Sequence, residues 1–212
     1  MSENTWKEYF ERTKDSKPRP LLVKAVDLVV DKDEALDLGS GALNDVRYLV
    51  SEGFKHVTAV DSKPIAQDII KNFPPEIVSY VISTFEDFDF VENKYDLINA
   101  QYSLPFNPEA TFERVFKSII SSLKTGGILT GQFFGVKDEW NVEGHKMNFQ
   151  TREQAEKLLT GLEIITFYDW LLRRTCAVGP DNIHGTDHVD PDVEKYGDGA
   201  EKVNPKRYQA GK

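Results

Sequence analysis

Ala35-Leu36-Asp37-Leu38-Gly39-Ser40-Gly41-Ala42-Leu43-Asn44 is the stretch on which the fold turns. Ala35 to Leu38 is an apolar run broken by one acid, the pattern of a strand buried on both faces. Gly39 permits a sharp turn out of that strand. Gly41 removes a side chain where a ligand must approach the backbone. A helix beginning at Asn44 then directs free N–H groups toward the turn.

The neighbouring segments repeat the rhythm. Asn44 to Ser51 reads as a helix with Val46, Leu49 and Val50 turned inward, ended by Gly53. Val57 to Val60 is a second strand, finishing at Asp61. Pro64 to Asn72 reads as a helix carrying Ile65, Ile69 and Ile70, stopped by Pro74-Pro75. Ile77 to Ile82 and Tyr95 to Ala100 are the third and fourth strands. Pro108 to Lys124 carries Phe112, Val115, Phe116, Ile119, Ile120 and Leu123 on one helical face. Leu123 to Gly127 reads as the exit from that helix, and Ile128 to Phe134 as strand five. Strands alternating with helices predict an α/β domain with a Rossmann-like, doubly wound parallel sheet and helices on both faces.

Upstream, Ser2 to Arg12 is a short helix with Trp6, Tyr9 and Phe10 on one face, placed to pack on the domain and to cap a cleft. Pro18-Arg19-Pro20 opens the next helix, in which Leu21, Leu22, Ala25, Val26, Leu28 and Val29 form a broad apolar side. Downstream, residues 135–148 are a polar loop. Thr151 to Gln154 fits a capping box for a helix to about Thr160. Leu162 to Leu172 suits a sixth strand, and the chain turns polar from about Val178. Residues 1–172 are therefore expected as one domain, with 1–16 as a helical lid, and 173–212 as a polar tail.

The net charge of −9 argues against nucleic acid as the main partner. Neither a signal peptide nor a membrane-spanning run is legible, and a single cysteine, Cys176, excludes an internal disulfide. A reducing cytoplasm is the expected compartment. His184 and His188 have i, i+4 spacing but lie among Gly, Asp and Pro, where a helix is disfavoured, so no metal site is expected.

The chemistry-bearing residues gather at the carboxyl edge of the expected sheet. Asp37-x-Gly39-x-Gly41, with Ser40 between the glycines, forms the turn. Asp61 lies about 20 residues on, where an acid can accept both ribose hydroxyls, with Ser62 after it. Phe85-Glu86-Asp87 follows strand three, where an acid can accept from an adenine amine while Phe85 packs on the ring. Asn99-Ala100-Gln101-Tyr102 ends strand four at the switch point of the sheet, where a second substrate would meet the cofactor. Tyr102, Phe106 and Trp140, with Tyr9 from the first helix, are candidates to line that pocket. Asn44 stands where a dinucleotide fingerprint would have its third glycine, which favours S-adenosylmethionine (SAM) over NAD(P).

Together these segments resemble the class I SAM-dependent methyltransferases. Within them the chain is similar to a small bacterial methyltransferase-domain or tellurite-resistance-like branch. The likeness rests on Ala35 to Gly41, Val57 to Asp61, Phe85 to Asp87, Tyr95 to Phe106 and Leu123 to Phe134. It rests also on Trp6 with Tyr9 and Phe10, on Pro18-Arg19-Pro20, and on Gly131 to Trp140. It implies a seven-stranded sheet of order 3-2-1-4-5-7-6 with strand seven antiparallel. By that resemblance Asp37, Gly39 and Gly41 hold the methionine end of SAM, Asp61 its ribose, and Glu86 or Asp87 its adenine, with Asn99 and Ala100 beside the methyl donor. Two features depart from the branch. Leu43 replaces the third glycine of its GxGxG, and a His-Trp-His-x-Phe-His hairpin expected near the C-terminus does not occur.

The expected activity is methyl transfer from SAM to a small molecule, leaving S-adenosylhomocysteine. Asn99 or Tyr102 would orient the acceptor, and no catalytic base stands out. The alternatives are an NAD(P)-binding Rossmann oxidoreductase and a SAM-binding protein with impaired catalysis.

Overall fold

The computed structural model describes residues 3–144 and 146–165. His145, Cys176, His184, His188, the polar tail and most of the expected sixth strand lie outside the described residues. Within them, residues 162–165 are turn and irregular backbone rather than strand.

The glycine-turn unit folds as its sequence reads. β1 spans Glu34–Leu38 and α3 spans Asn44–Ser51, after α1 (Glu3–Thr13) and α2 (Pro20–Val26). β2 (His56–Asp61), β3 (Val78–Ile82), β4 (Tyr95–Ala100) and β5 (Leu123–Gly131) complete a five-stranded sheet of order β3-β2-β1-β4-β5. Every pairing in it is parallel. That is the 3-2-1-4-5 part of the expected order. A short parallel pair, β6 (Phe134–Gly135) with β7 (Phe149–Gln150), stands apart from the main sheet, and α5 (Arg152–Leu158) follows. The strand pair 7-6 implied by the resemblance is not present among the described residues.

Alternation along the strands divides the core in two. Ala35, Val57, Ala59 and Leu97 face one way and pack with Leu22 and Val26 of α2 and Val46 and Leu49 of α3. Leu36, Leu38, Val60 and Ile98 face the other, against Phe112, Val115, Phe116 and Ile119 of α4 (Glu109–Ser122). Burying each such aliphatic side chain contributes about 1.5–3 kcal/mol.

Two elements differ from expectation. Residues 64–72 form two short 3₁₀ turns, Pro64–Ala66 and Ile70–Asn72, instead of one helix. Only Ala66 in those turns is buried, and Lys63 gives no side-chain cap, so little tertiary contact or capping offsets the cost of nucleating a helix. β5 begins at Leu123, directly at the end of α4, rather than at Ile128. Leu123 pairs with Tyr95, and Ile128 pairs with Leu97, so the intervening residues bulge with Gly126 at φ +83°. The capping box at α5 is present, with Thr151 Oγ1 accepting from the Gln154 backbone and the Gln154 side chain accepting from the Thr151 backbone.

The amino edge of the sheet is tied by charge. Asp96, nearly buried, accepts from the Asp33 and Glu34 backbone and from Lys124 Nζ at 2.8 Å. His56 bridges Glu34 (3.0 Å) and Ser79 (2.9 Å) across three strands. The carboxyl edge is left for the site.

Candidate functional site

The turn after β1 carries three left-handed residues, Gly39 (φ +79°), Gly41 (φ +45°) and Leu43 (φ +59°). Gly39 and Ser40 both donate backbone N–H bonds to Val60 O, which fastens the turn to β2. A Cβ on Gly39 would lie 2.4 Å from Ser103 Cβ, so the loop after β4 presses on this point. At Gly41 the nearest atom to such a Cβ is Gly39 O at 3.9 Å, which leaves ordinary space on that side. Leu43 replaces the family's third glycine yet keeps the left-handed backbone, and its side chain is completely buried. Burial offsets the roughly 1–2 kcal/mol that such a conformation costs a residue with a Cβ.

Asp37 is 2 % exposed. Its Oδ1 accepts from Asn99 Nδ2 at 2.7 Å, and the same nitrogen donates to Asp45 Oδ2 at 3.0 Å. Asp37 and Asn99 are register partners on β1 and β4, so the sheet itself sets this contact. Gln101 Nε2 donates to Asn99 Oδ1 at 2.8 Å. Burial pushes the Asp37 carboxyl well above the usual carboxylate range, and the neighbouring Asp45 and Asp61 push it further. Burial also raises Asp45. Asp61 is raised by burial too, against the pull of the Lys63 and Gly41 backbone N–H groups, each 2.9 Å from its oxygens. Asp37 Oδ2 and Ser40 Oγ are buried with no hydrogen-bond partner among the described residues.

Other expected residues lie less directly at the turn. Ser62 is exposed, and Ala100 is fully buried at the end of β4. Phe85 packs against the α4-side core. Glu86 accepts from Thr111 on α4 at 3.3 Å, and the exposed Asp87 from Thr84 at 2.8 Å. Acids 86 and 87 thus hold the loop after β3 in place.

The aromatic candidates converge from three segments: α1, the loop after β4 and the loop that carries Trp140. Trp6 of α1 meets Tyr9 (6.2 Å between centroids) and Phe106 (5.3 Å), and Phe106 meets Trp140 at 6.3 Å. Tyr102, left-handed at φ +57° and 44 % exposed, lies under the Arg19 guanidinium, 4.5 Å from its ring centroid. Strained backbone of this kind recurs at ligand sites.

Arg19 is the residue that sequence reasoning missed. It was visible only as part of a proline-flanked motif. Its Nη2 donates to Tyr9 Oη at 3.0 Å, and its backbone N–H donates to Asp45 Oδ1 at 2.8 Å. Burial pulls against its charge, but Tyr9, Tyr102 and Asp45 together hold its pKa above the ordinary value. Asp45 was missed as well, and Gln101 was named only as part of the segment after strand four, with no role of its own. Their signals were an acid in the first turn of the helix after the glycines and an amide two residues from Asn99 on the same strand face.

Residues 35–127 match the family model of a methyltransferase domain. No curated protein matches the chain. A methyltransferase from Haloferax volcanii, solved in complex with the Trm112 methyltransferase activator, is 18% identical, with a TM-score of 0.60 over 73% of this chain and 71% of that one. A Burkholderia thailandensis 1,6-didemethyltoxoflavin N1-methyltransferase, solved with its substrate and S-adenosylhomocysteine, is 18% identical, with a TM-score of 0.55 over 74% and 75%. A SAM-dependent methyltransferase from Mesorhizobium loti is 14% identical, with a TM-score of 0.54 over 69% and 80%. Residues 35–127 thus resemble a methyltransferase domain, and the chain shares its fold with these solved SAM-dependent methyltransferase structures. The matches reach that class and not the narrower bacterial branch. No helix among the described residues is long and apolar enough to cross a membrane.

Proposed function

We propose that this chain, carrying a methyltransferase domain of the class I SAM-dependent kind, transfers a methyl group from SAM to a small-molecule acceptor in the cytoplasm. The observation that supports this most is the group around the glycine turn. Asp37 Oδ2 and Ser40 Oγ are buried without partners beside three acids whose carboxyls burial has raised. An ammonium group supplies the donors and the positive charge that this arrangement lacks. The residues therefore fit the amino end of SAM, with Asp61 placed for the ribose hydroxyls and Phe85, Glu86 and Asp87 on the adenine side.

SAM supplies an already activated methyl group on a sulfonium, which passes to an acceptor lone pair and leaves a thioether. The protein's part is alignment and exclusion of water. Asn99 holds Asp37 and Asp45 together by donating to both from one amide nitrogen. Arg19 is placed to meet the cofactor's carboxylate, being the cation beside Asp45. Tyr9, Trp6, Phe106, Trp140 and Tyr102 form the acceptor side. The small-molecule character of the toxoflavin relative's substrate agrees with an aromatic wall of this size.

The test is calorimetric titration of the full chain with S-adenosylhomocysteine, with NADH as the competing ligand. S-adenosylhomocysteine binding, weakened about 5- to 150-fold (1–3 kcal/mol) by Asp61→Ala, is the expected result. Binding of NADH alone refutes the proposal and favours an oxidoreductase.

A further inference from the structure

Four buried side-chain oxygens lack a hydrogen-bond partner among the described residues, and all lie at one edge of the sheet. They belong to Asp37, Ser40, Ser103 and Gln132, at or just beyond the carboxyl ends of β1, β4 and β5. Buried polar atoms are nearly always paired, so each exception needs a reason. Asp37 and Ser40 belong to the cofactor turn, and Ser103 faces Gly39 there. Gln132 Oε1 belongs to none of this. It lies one residue past the end of β5, the strand two places from β1.

Its orientation follows from strand alternation. Asp37 pairs with Asn99, and Asn99 with Thr130, so these three share one face of the sheet. Gln132, two residues past Thr130, continues that face, whereas Phe133 turns to the other and packs 5.4 Å from Phe116. Gln132 and Gln101 each stand one residue past the paired ends Ala100 and Gly131. The next aromatic on the same segment, Phe134, lies 5.8 Å from Trp140, which continues to Phe106 and Trp6. A carbonyl oxygen in need of a donor thus sits where the amide row from Asp37 meets the aromatic wall.

We infer that Gln132 is the acceptor-recognition residue of this site, its Oε1 taking a hydrogen bond from an O–H or N–H group on a flat aromatic methyl acceptor. This rests on the methyl-transfer reading. Phenols, anilines and heteroarenes with a ring N–H are the class that satisfies both the amide and the wall. A site built to accept a substrate's proton discriminates strongly against the analogue that lacks it, because the buried oxygen is then left unpaired.

The experiment titrates the full chain, loaded with S-adenosylhomocysteine, with 2-naphthol and with 2-methoxynaphthalene, in which a methyl group replaces the O–H hydrogen. The wild type is expected to prefer 2-naphthol by at least about tenfold. Gln132→Leu is expected to reduce the preference to within about threefold with S-adenosylhomocysteine affinity unchanged, while Gln132→Glu, which keeps an acceptor oxygen at the same reach, retains it. Equal affinities in the wild type, no binding of either naphthalene to the loaded chain, or a preference that survives Gln132→Leu overturns the inference. Failure to load S-adenosylhomocysteine overturns the methyl-transfer reading itself, and the same titration shows which has failed.

Discussion

Gly39→Ala tests the architecture of the turn at its tightest point. The new Cβ would stand 2.4 Å from Ser103 Cβ, against about 3.5–4.0 Å for an ordinary carbon contact, so one side must move by more than 1 Å. Forcing a methyl group into a packed site costs about 1–3 kcal/mol. The backbone at φ +79° adds roughly 1–2 kcal/mol for any residue with a Cβ. Together these give a destabilisation of about 2–5 kcal/mol, read as a lowered urea midpoint at constant slope. The two contributions separate in a double-mutant cycle with Ser103→Gly, which removes the opposing Cβ and leaves φ untouched. The double variant should recover about 1–3 kcal/mol relative to the sum of the single changes, with the φ cost remaining. A Gly39→Ala chain within about 0.5 kcal/mol of wild type, or a cycle without coupling, would refute the claim that the loop after β4 is packed onto the glycine turn.

Cofactor binding should release protons. Asp37 and Asp61 have raised pKa values, so each holds its proton to higher pH than an ordinary carboxyl, and a cationic ligand favours the ionised form. SAM affinity should therefore rise with pH above the usual carboxylate range until both groups are ionised without help, and calorimetric heats should depend on the ionisation enthalpy of the buffer. A pH-independent affinity from pH 5 to 8, about the window above the ordinary carboxyl value, contradicts this. The same shifts set stability in the ligand-free chain, with the opposite sign. The folded state binds more protons than the unfolded one between the ordinary and raised pKa values, so stability falls as pH rises through that window. Leu43→Gly should destabilise by up to about 4 kcal/mol in chemical denaturation, because the loss of a fully buried leucine, about 2–5 kcal/mol, outweighs the roughly 1–2 kcal/mol of strain relieved at φ +59°. A stabilised variant would show that the strain, not the burial, dominates there.

The parts of the fold legible in the sequence are those where local and tertiary signals agree. β1, α3 and β4 have the boundaries their residues suggest, because an apolar run, a glycine turn and a helical period all name the same limits. Residues 64–72 misled because their isoleucines recur at helical spacing without a cap or a buried face to reward a helix. The bulge in β5 was hidden because Thr125-Gly126-Gly127 reads equally as a helix exit and as an interruption within a paired strand. At the site, Asp37 and Asn99 were legible since each is a polar residue next to the end of a buried strand. Arg19 and Asp45 were not, because each gains its place through a contact with segments far away in sequence, and Gln132 was not, because it lies just past the paired end of β5. Arg19 meets Asp45 across 26 residues, and Asn99 meets Asp45 across 54.

Charge gives the strongest physical reason to favour a sulfonium ligand over a dinucleotide on this sheet. A pyrophosphate at the glycine turn would bring negative charge toward Asp37, Asp45 and Asp61, against which stand the charges of Arg19 beside Asp45 and Lys63 beside Asp61. In a buried crevice such like-charge approaches are costly: burial already raises all three acids, and Asp45 and Asp61 raise Asp37 further. A ligand with an ammonium and a sulfonium reverses the balance. It supplies donors for Asp37 Oδ2 and Ser40 Oγ and lowers the cost of ionising the acids. Its single carboxylate, in turn, has Arg19 available. The glycines alone permit either ligand; the acids arranged around them by β1, α3 and β2 discriminate between the two.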